Sequence, residues 1–193
     1  MVSFRISVQA ACLTSLVSSM VTAPNLLAQS SVFGTLAVDA NQFVLVAAPI
    51  GSGVASQLNI YEQRTSERPC YRVVGGSPSV VDPLLTSFDF TGICSRYIDA
   101  NGYSLRIGNK DLGTSYRLSI VKTAGDIQLV AMPTRNISRR PTLVATAGGI
   151  TDGFVQLNLE PGWSLMRRQY GGQGLGHLYL YRETWPKSSD SDA

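Results

Sequence analysis

The sequence predicts an all-β protein: an antiparallel barrel or sandwich built from hairpins, with one disulfide and little helix apart from an N-terminal signal segment. Three observations carry that prediction. Apolar and polar residues alternate with a period of two along most of the chain. Gly, Pro and Asn interrupt the alternation about every 8–12 residues, the spacing of short strands joined by turns. Two cysteines, Cys70 and Cys94, remain once the signal segment is set aside.

The chain opens as an export signal does. MVSFR carries one positive charge, and ISVQAACLTSLVSSMV follows without a charged side chain. TAPNLLAQS then supplies small residues, and no acid appears before Asp39. These are the three regions of a secretory signal peptide, with cleavage expected after Ala28. The apolar run is short and rich in Ser and Thr, so no membrane span is expected after cleavage. Residues 29–40 read as a lead-in, 41–182 as a single β domain, and 183–193 as a polar tail expected to be disordered.

Within the domain, QFVLVAAP (42–49) is nearly continuous in apolar residues. SQLNIYEQ (56–63) alternates, with Leu58 and Ile60 on one face. Segment 79–87 is the best place for a short helical turn, and Pro83 limits it. Asp99-Ala100-Asn101-Gly102 reads as a tight hairpin turn of positive φ. After it, GYSLRI (102–107) and SYRLSIVK (115–122) place Tyr103, Leu105, Ile107 and then Tyr116, Leu118, Ile120 inward. DIQLVAM, TLVATA, FVQLNLE, WSLMRRQY and HLYLYRE continue the series. Gly-Tyr-Ser-Leu at 102–105 and Gly-Trp-Ser-Leu at 162–165 are each followed by Leu-Gly-x-x-Tyr. The echo suggests two related hairpins.

Cys70 and Cys94 bound a loop of 25 residues. Exactly two cysteines in an exported chain read as one disulfide. Charge is sparse: 16 Lys+Arg against 13 Asp+Glu, net +3, or +2 once Arg5 leaves with residues 1–28. The basic doublets are Arg139-Arg140 and Arg167-Arg168, too little for the footprint of a nucleic-acid binder. One histidine, His177, excludes a multi-histidine metal site, and no cofactor motif is present. The glycine clusters lie between strands and lack the Lys-Ser/Thr of a phosphate loop, so they read as hairpin loops.

Four aromatic and basic residues, Trp163, Arg167, Arg168 and Tyr170, are the candidates for ligand binding. Rings stack on sugars and guanidinium groups grip carboxylates. Asp89 and Asp99 are the candidate acids, since a glycosidase needs two carboxylates facing one cleft. Asp99 also suits a turn, whereas Asp89 has no turn to explain it. His177 sits in an apolar strand, where a hydrogen-bonded structural role is expected. No G-x-S-x-G elbow is present, and Ser164 is a nucleophile only by assertion.

RPCY, VDPLLTSFDFTGICSRYIDANGYSLRIGNKDLGTSYRLSIV and the closing LEPGW…LGHLYL resemble an uncharacterised secreted family of cyanobacteria, domain-of-unknown-function family 3747. The resemblance covers about Gln42 to Arg182 and implies an exported bacterial protein with a single domain of this type. It implies no activity and transfers no catalytic residue. The residues themselves lead to an extracytoplasmic β domain, non-enzymatic, that binds or organises polysaccharide, peptidoglycan or an envelope protein. The alternative is an envelope hydrolase built on a carboxylate pair.

Overall fold

A computed structural model describes residue 1 and residues 32–136 and 138–186. The signal segment and the last residues of the polar tail lie outside the described residues. Fourteen strands and two short 3-10 turns make up the described chain. The all-β expectation holds, with curled sheets that are antiparallel apart from one pair, and the Cys70–Cys94 disulfide is formed.

The strands are β1 (Gly34–Ala37), β2 (Phe43–Ile50), β3 (Ala55–Gln63), β4 (Arg72–Val74), β5 (Val80–Asp82), β6 (Cys94–Tyr97) and β7 (Tyr103–Ile107). They continue with β8 (Lys110–Asp111), β9 (Tyr116–Lys122), β10 (Ile127–Pro133), β11 (Thr142–Thr146), β12 (Val155–Leu159), β13 (Ser164–Tyr170) and β14 (Gln173–Arg182). The small sheet has the order β1-β13-β14-β7-β8. The large sheet runs β6-β3-β2-β12-β11-β10-β9, with β4 and β5 attached beside β12. The large sheet curls until β9 packs near β3. Lys122 Nζ then donates to the Gly53 carbonyl of the β2–β3 turn at 3.0 Å.

The main core lies between the sheets. Leu45, Ala47, Leu58 and Ile60 from the large sheet meet Leu105, Leu165, Leu178 and Leu180 from the small one. These are the inward faces that the period of two selects. β2 is apolar on both faces for a second reason. Val44 and Val46 point outward into a separate cluster with Tyr61, Val81, Leu85 and the disulfide, roofed by Phe88, Phe90 and Ile93. A strand buried on both sides has no polar face to alternate with. The 3-10 turn Leu84–Ser87 sits in this roof, and its buried Leu85 anchors it.

Three expectations are corrected. Asp99–Gly102 is a turn but not a hairpin: it carries the chain from β6 in the large sheet to β7 in the small one. Gly102 does not take a positive φ. Glycine is needed there because an added Cβ would come within 3.0 Å of Tyr97 Cβ. The echoed segments also diverge. β13 and β14 form an antiparallel hairpin, whereas β7 pairs with β8 and, in parallel, with β14, and β9 leaves for the other sheet. Finally, the lead-in and the start of the tail belong to the fold. β1 pairs with β13, and Trp185 packs on Tyr116 with ring centroids 5.2 Å apart. The ring contact holds Trp185 against β9 although the residue stays 38% exposed.

The disulfide closes the loop that roofs the outer cluster, so its loss is felt there first. The Cys70→Ala/Cys94→Ala variant is expected to lose about 3.5 kcal/mol of unfolding free energy, the loop-closure entropy for 25 residues. Urea unfolding of oxidised, reduced and double-Ala protein checks this; equal midpoints would contradict it.

Candidate functional site

The predicted site residues do not converge on one surface. Trp163 is 7% exposed and belongs to the main core. Adjacent Arg167 and Arg168 point to opposite faces of β13, as the pleat requires. Tyr170 is 59% exposed, with its ring edge-on to Phe33 at 6.0 Å. An exposed platform of all four is therefore absent, because alternation along one strand sends its neighbours to different places.

Arg167 turns inward. Its Nη2 lies 2.6 Å from Glu62 Oε1, and its Nη1 donates to Tyr97 OH at 3.0 Å. Tyr97 OH donates to Glu62 Oε2 at 2.6 Å. Glu62 lies on β3 and Arg167 on β13, so the triad ties the two sheets together. The guanidinium also lies over the Phe43 ring, 5.9 Å from its centroid. Burial and the bond to Glu62 raise the Tyr97 pKa, although Arg167 opposes them.

Arg168 turns outward and holds Asp111, with Nη2 2.7 Å from Oδ2. Its Nε donates to Tyr179 OH at 2.7 Å, and Tyr179 OH donates to Asp111 Oδ2 at 2.9 Å. Gly113 N–H donates to Asp111 Oδ1 at 3.1 Å. Burial pushes the Asp111 carboxyl up, but these bonds and the Arg168 charge together bring it below its ordinary value. Beside it, Ser104 Oγ lies 2.9 Å from His177 Nε2 and 3.4 Å from Asp111 Oδ1. His177 Nδ1 lies 2.7 Å from the Asn101 carbonyl oxygen. His177 is hydrogen-bonded as its strand context implied, through partners the sequence did not indicate.

Neither Asp89 nor Asp99 lines any of the described clefts. Asp89 Oδ1 accepts from Thr91 N–H at 3.0 Å, which is the turn the sequence did not reveal. That bond and one from the Thr91 side chain lower its pKa, although it is fully exposed. Asp99 Oδ1 accepts from Asn101 and Gly102 N–H at 2.8 and 3.3 Å. Both carboxylates stabilise turns by satisfying backbone donors. Among the described residues no group of three or more His, Cys, Asp or Glu is placed to hold a metal ion. No described helix is long and apolar enough to cross a membrane.

A cleft shaped for an apolar guest lies beside Trp163. A cleft of about 590 Å3 opens where β1 and β13 of the small sheet face β2 and β12 of the large one. Phe43, Leu157, Leu159, Trp163, Leu165 and Met166 wall it, with Gln156, Asn158 and Ser164 among the polar lining residues. The volume falls within the range of small-ligand pockets, and its mix of apolar wall and few polar groups is typical of them.

The fold and this cleft define a β-sheet protein with a ligand-sized opening between its sheets. Residues 9–185 match the family described as Protein of unknown function (DUF3747), and the chain belongs to that family. No curated protein and no solved structure matches the chain.

Two outcomes follow from the polar clusters. Arg167→Met leaves Glu62, whose side chain is 10% exposed, without its cation. A loss of about 2 kcal/mol is expected, between the values for exposed and fully buried pairs. Adding Glu62→Gln should recover part of it in a urea-unfolding cycle; strict additivity would show that the pair is uncoupled. Secondly, burial first and the Arg168 charge after it hold His177 below its ordinary value of 6.5, against the opposing effects of Asn101 and Asp111. The unfolded chain therefore binds a proton before the folded one does as pH falls. Stability should decline below about pH 6.5 until the folded histidine itself protonates. His177→Asn should remove that slope, leaving the carboxylate-driven loss at lower pH; an unchanged slope would assign it elsewhere.

Proposed function

We propose that this protein is an exported cyanobacterial β domain that serves in the cell envelope as a binding module for polysaccharide or peptidoglycan. The cleft beside Trp163 is the observation that carries the reading. A sugar ring offers an apolar face and a rim of hydroxyls. Phe43 and Trp163 contribute to the cleft's apolar wall, and Gln156, Asn158 and Ser164 supply hydrogen-bonding groups. Export is supported by the charged start, apolar run and small-residue exit of the N-terminal segment. The Cys70–Cys94 bond suits an oxidising compartment. Binding is favoured over carboxylate-pair hydrolysis because Asp89 and Asp99 each hold a turn, while Glu62 and Asp111 each hold an arginine.

The test is retention of the purified protein on peptidoglycan and on envelope polysaccharide, with tryptophan fluorescence as the second readout. Retention and a change in emission on adding soluble fragments are expected. Ser164→Trp, at an exposed position of the cleft, should weaken binding about tenfold or more, equivalent to 1.4 kcal/mol, without altering the unfolding curve. Retention on no polymer, or equal binding by the variant, would overturn the proposal.

A further inference from the structure

A second cavity, of about 480 Å3, lies on the other face of the small sheet and shares no residue with the cleft. Asn101, Ser104, Asp111, Thr114, Arg168 and His177 are among its lining residues. Ser104 and His177 are almost fully buried, at 7% and 6% exposure, and Asn101 and Thr114 are exposed. The buried pair is therefore reached through the cavity.

The hydrogen bonds fix the histidine tautomer. A backbone carbonyl only accepts, so the 2.7 Å contact to Asn101 O places a proton on Nδ1. In the neutral ring Nε2 then carries the lone pair, and Ser104 is the donor across the 2.9 Å contact. Asp111 Oδ1, at 3.4 Å, competes for the same proton over a longer distance. Asp111 is already held by Gly113 N–H, Tyr179 and Arg168. The result is a hydroxyl aimed at a neutral imidazole whose far nitrogen is anchored, which is the geometry of an activated serine.

From this geometry we infer that Ser104 is a nucleophile and His177 its general base, acting on short acyl esters of polar, hydroxylated alcohols. Ser104 Oγ forms a bond to the acyl carbon while its proton passes to His177 Nε2. The ester C–O bond breaks, and Nε2 returns that proton to the departing alcohol oxygen. Water then attacks the acyl-serine and gives its proton to Nε2. The carboxylic acid leaves as the proton returns to Ser104 Oγ. Each step balances with ester and water alone. Polar side chains in the lining select a polar alcohol and disfavour a long apolar acyl chain.

The experiment labels the folded protein with a fluorophosphonate, in which attack by Ser104 forms a P–O bond and expels fluoride. Peptide mass spectrometry should place the adduct on Ser104, and unfolding in urea beforehand should abolish it. His177→Asn keeps a donor for the Asn101 carbonyl and should slow labelling by about 10²-fold or more, the usual share of a general base. Hydrolysis of p-nitrophenyl acetate should exceed that of the octanoate and should disappear in Ser104→Ala. No adduct on Ser104 of the folded wild-type protein would overturn the inference without the help of any variant. So would labelling of His177→Asn at the wild-type rate.

Discussion

Two opposite charges inside the molecule, Glu62 and Arg167, set how its sheets meet. Glu62 follows Leu58 and Ile60 on its strand's inward face and Arg167 follows Leu165 on its own, and each charge would be costly to bury alone. Together, with Tyr97 OH between them, they satisfy one another across the gap. An apolar interface tolerates small slips, because dispersion and hydrophobic contacts have little direction. A carboxylate, a guanidinium and a phenol do not tolerate them. The triad thereby fixes β13 against β3. Because β2 pairs Phe43 with Glu62, it also holds Phe43 at the cleft wall under the Arg167 guanidinium.

The opposite face of the small sheet repeats the logic with other residues. Asp111, Arg168 and Tyr179 form a closed set of bonds, and Arg106 and Arg168 both lie over the Tyr179 ring. This polar layer explains why every residue of β7 is buried, including Ser104 and Arg106. Tyr103 works from the inward side of the same strand. Its hydroxyl donates to the Leu58 carbonyl at 2.9 Å, and burial first, then the Asp99 charge, raise its pKa to about 12. It remains a donor at any ordinary pH. β7 is thus held to the large sheet by a tyrosine and to β14 by a parallel ladder.

Much of this was legible in the residue pattern, though some of it only once its meaning was known. Leu58, Ile60 and Glu62 share a face by period two, and so do Trp163, Leu165 and Arg167. The pattern thus marks both charges as inward-facing, while saying nothing of their being partners. β4, β5, β6 and β8 escaped because two to four residues are too few to display a period. Asp89 looked unexplained because its turn is made by a backbone N–H, a group every residue but proline carries and no sequence pattern reports.

The sequence by itself determined the all-β class, most of the long strands, their inward faces and the pairing of its last two cysteines. These follow from local alternation, turn chemistry and counting, which act over a few residues at a time. Tertiary structure decided the strand order, the switch of sheet at Asp99–Gly102, the cleft beside Trp163 and the meeting of Ser104 with His177. The last depends on a parallel register that sets Leu178 opposite Tyr103. Residues 73 positions apart come within 2.9 Å because the β7–β14 ladder sets them side by side in the small sheet, and packing that sheet's leucines on the large sheet stabilises the ladder. That gain belongs to the whole core, and no short stretch of the chain encodes it.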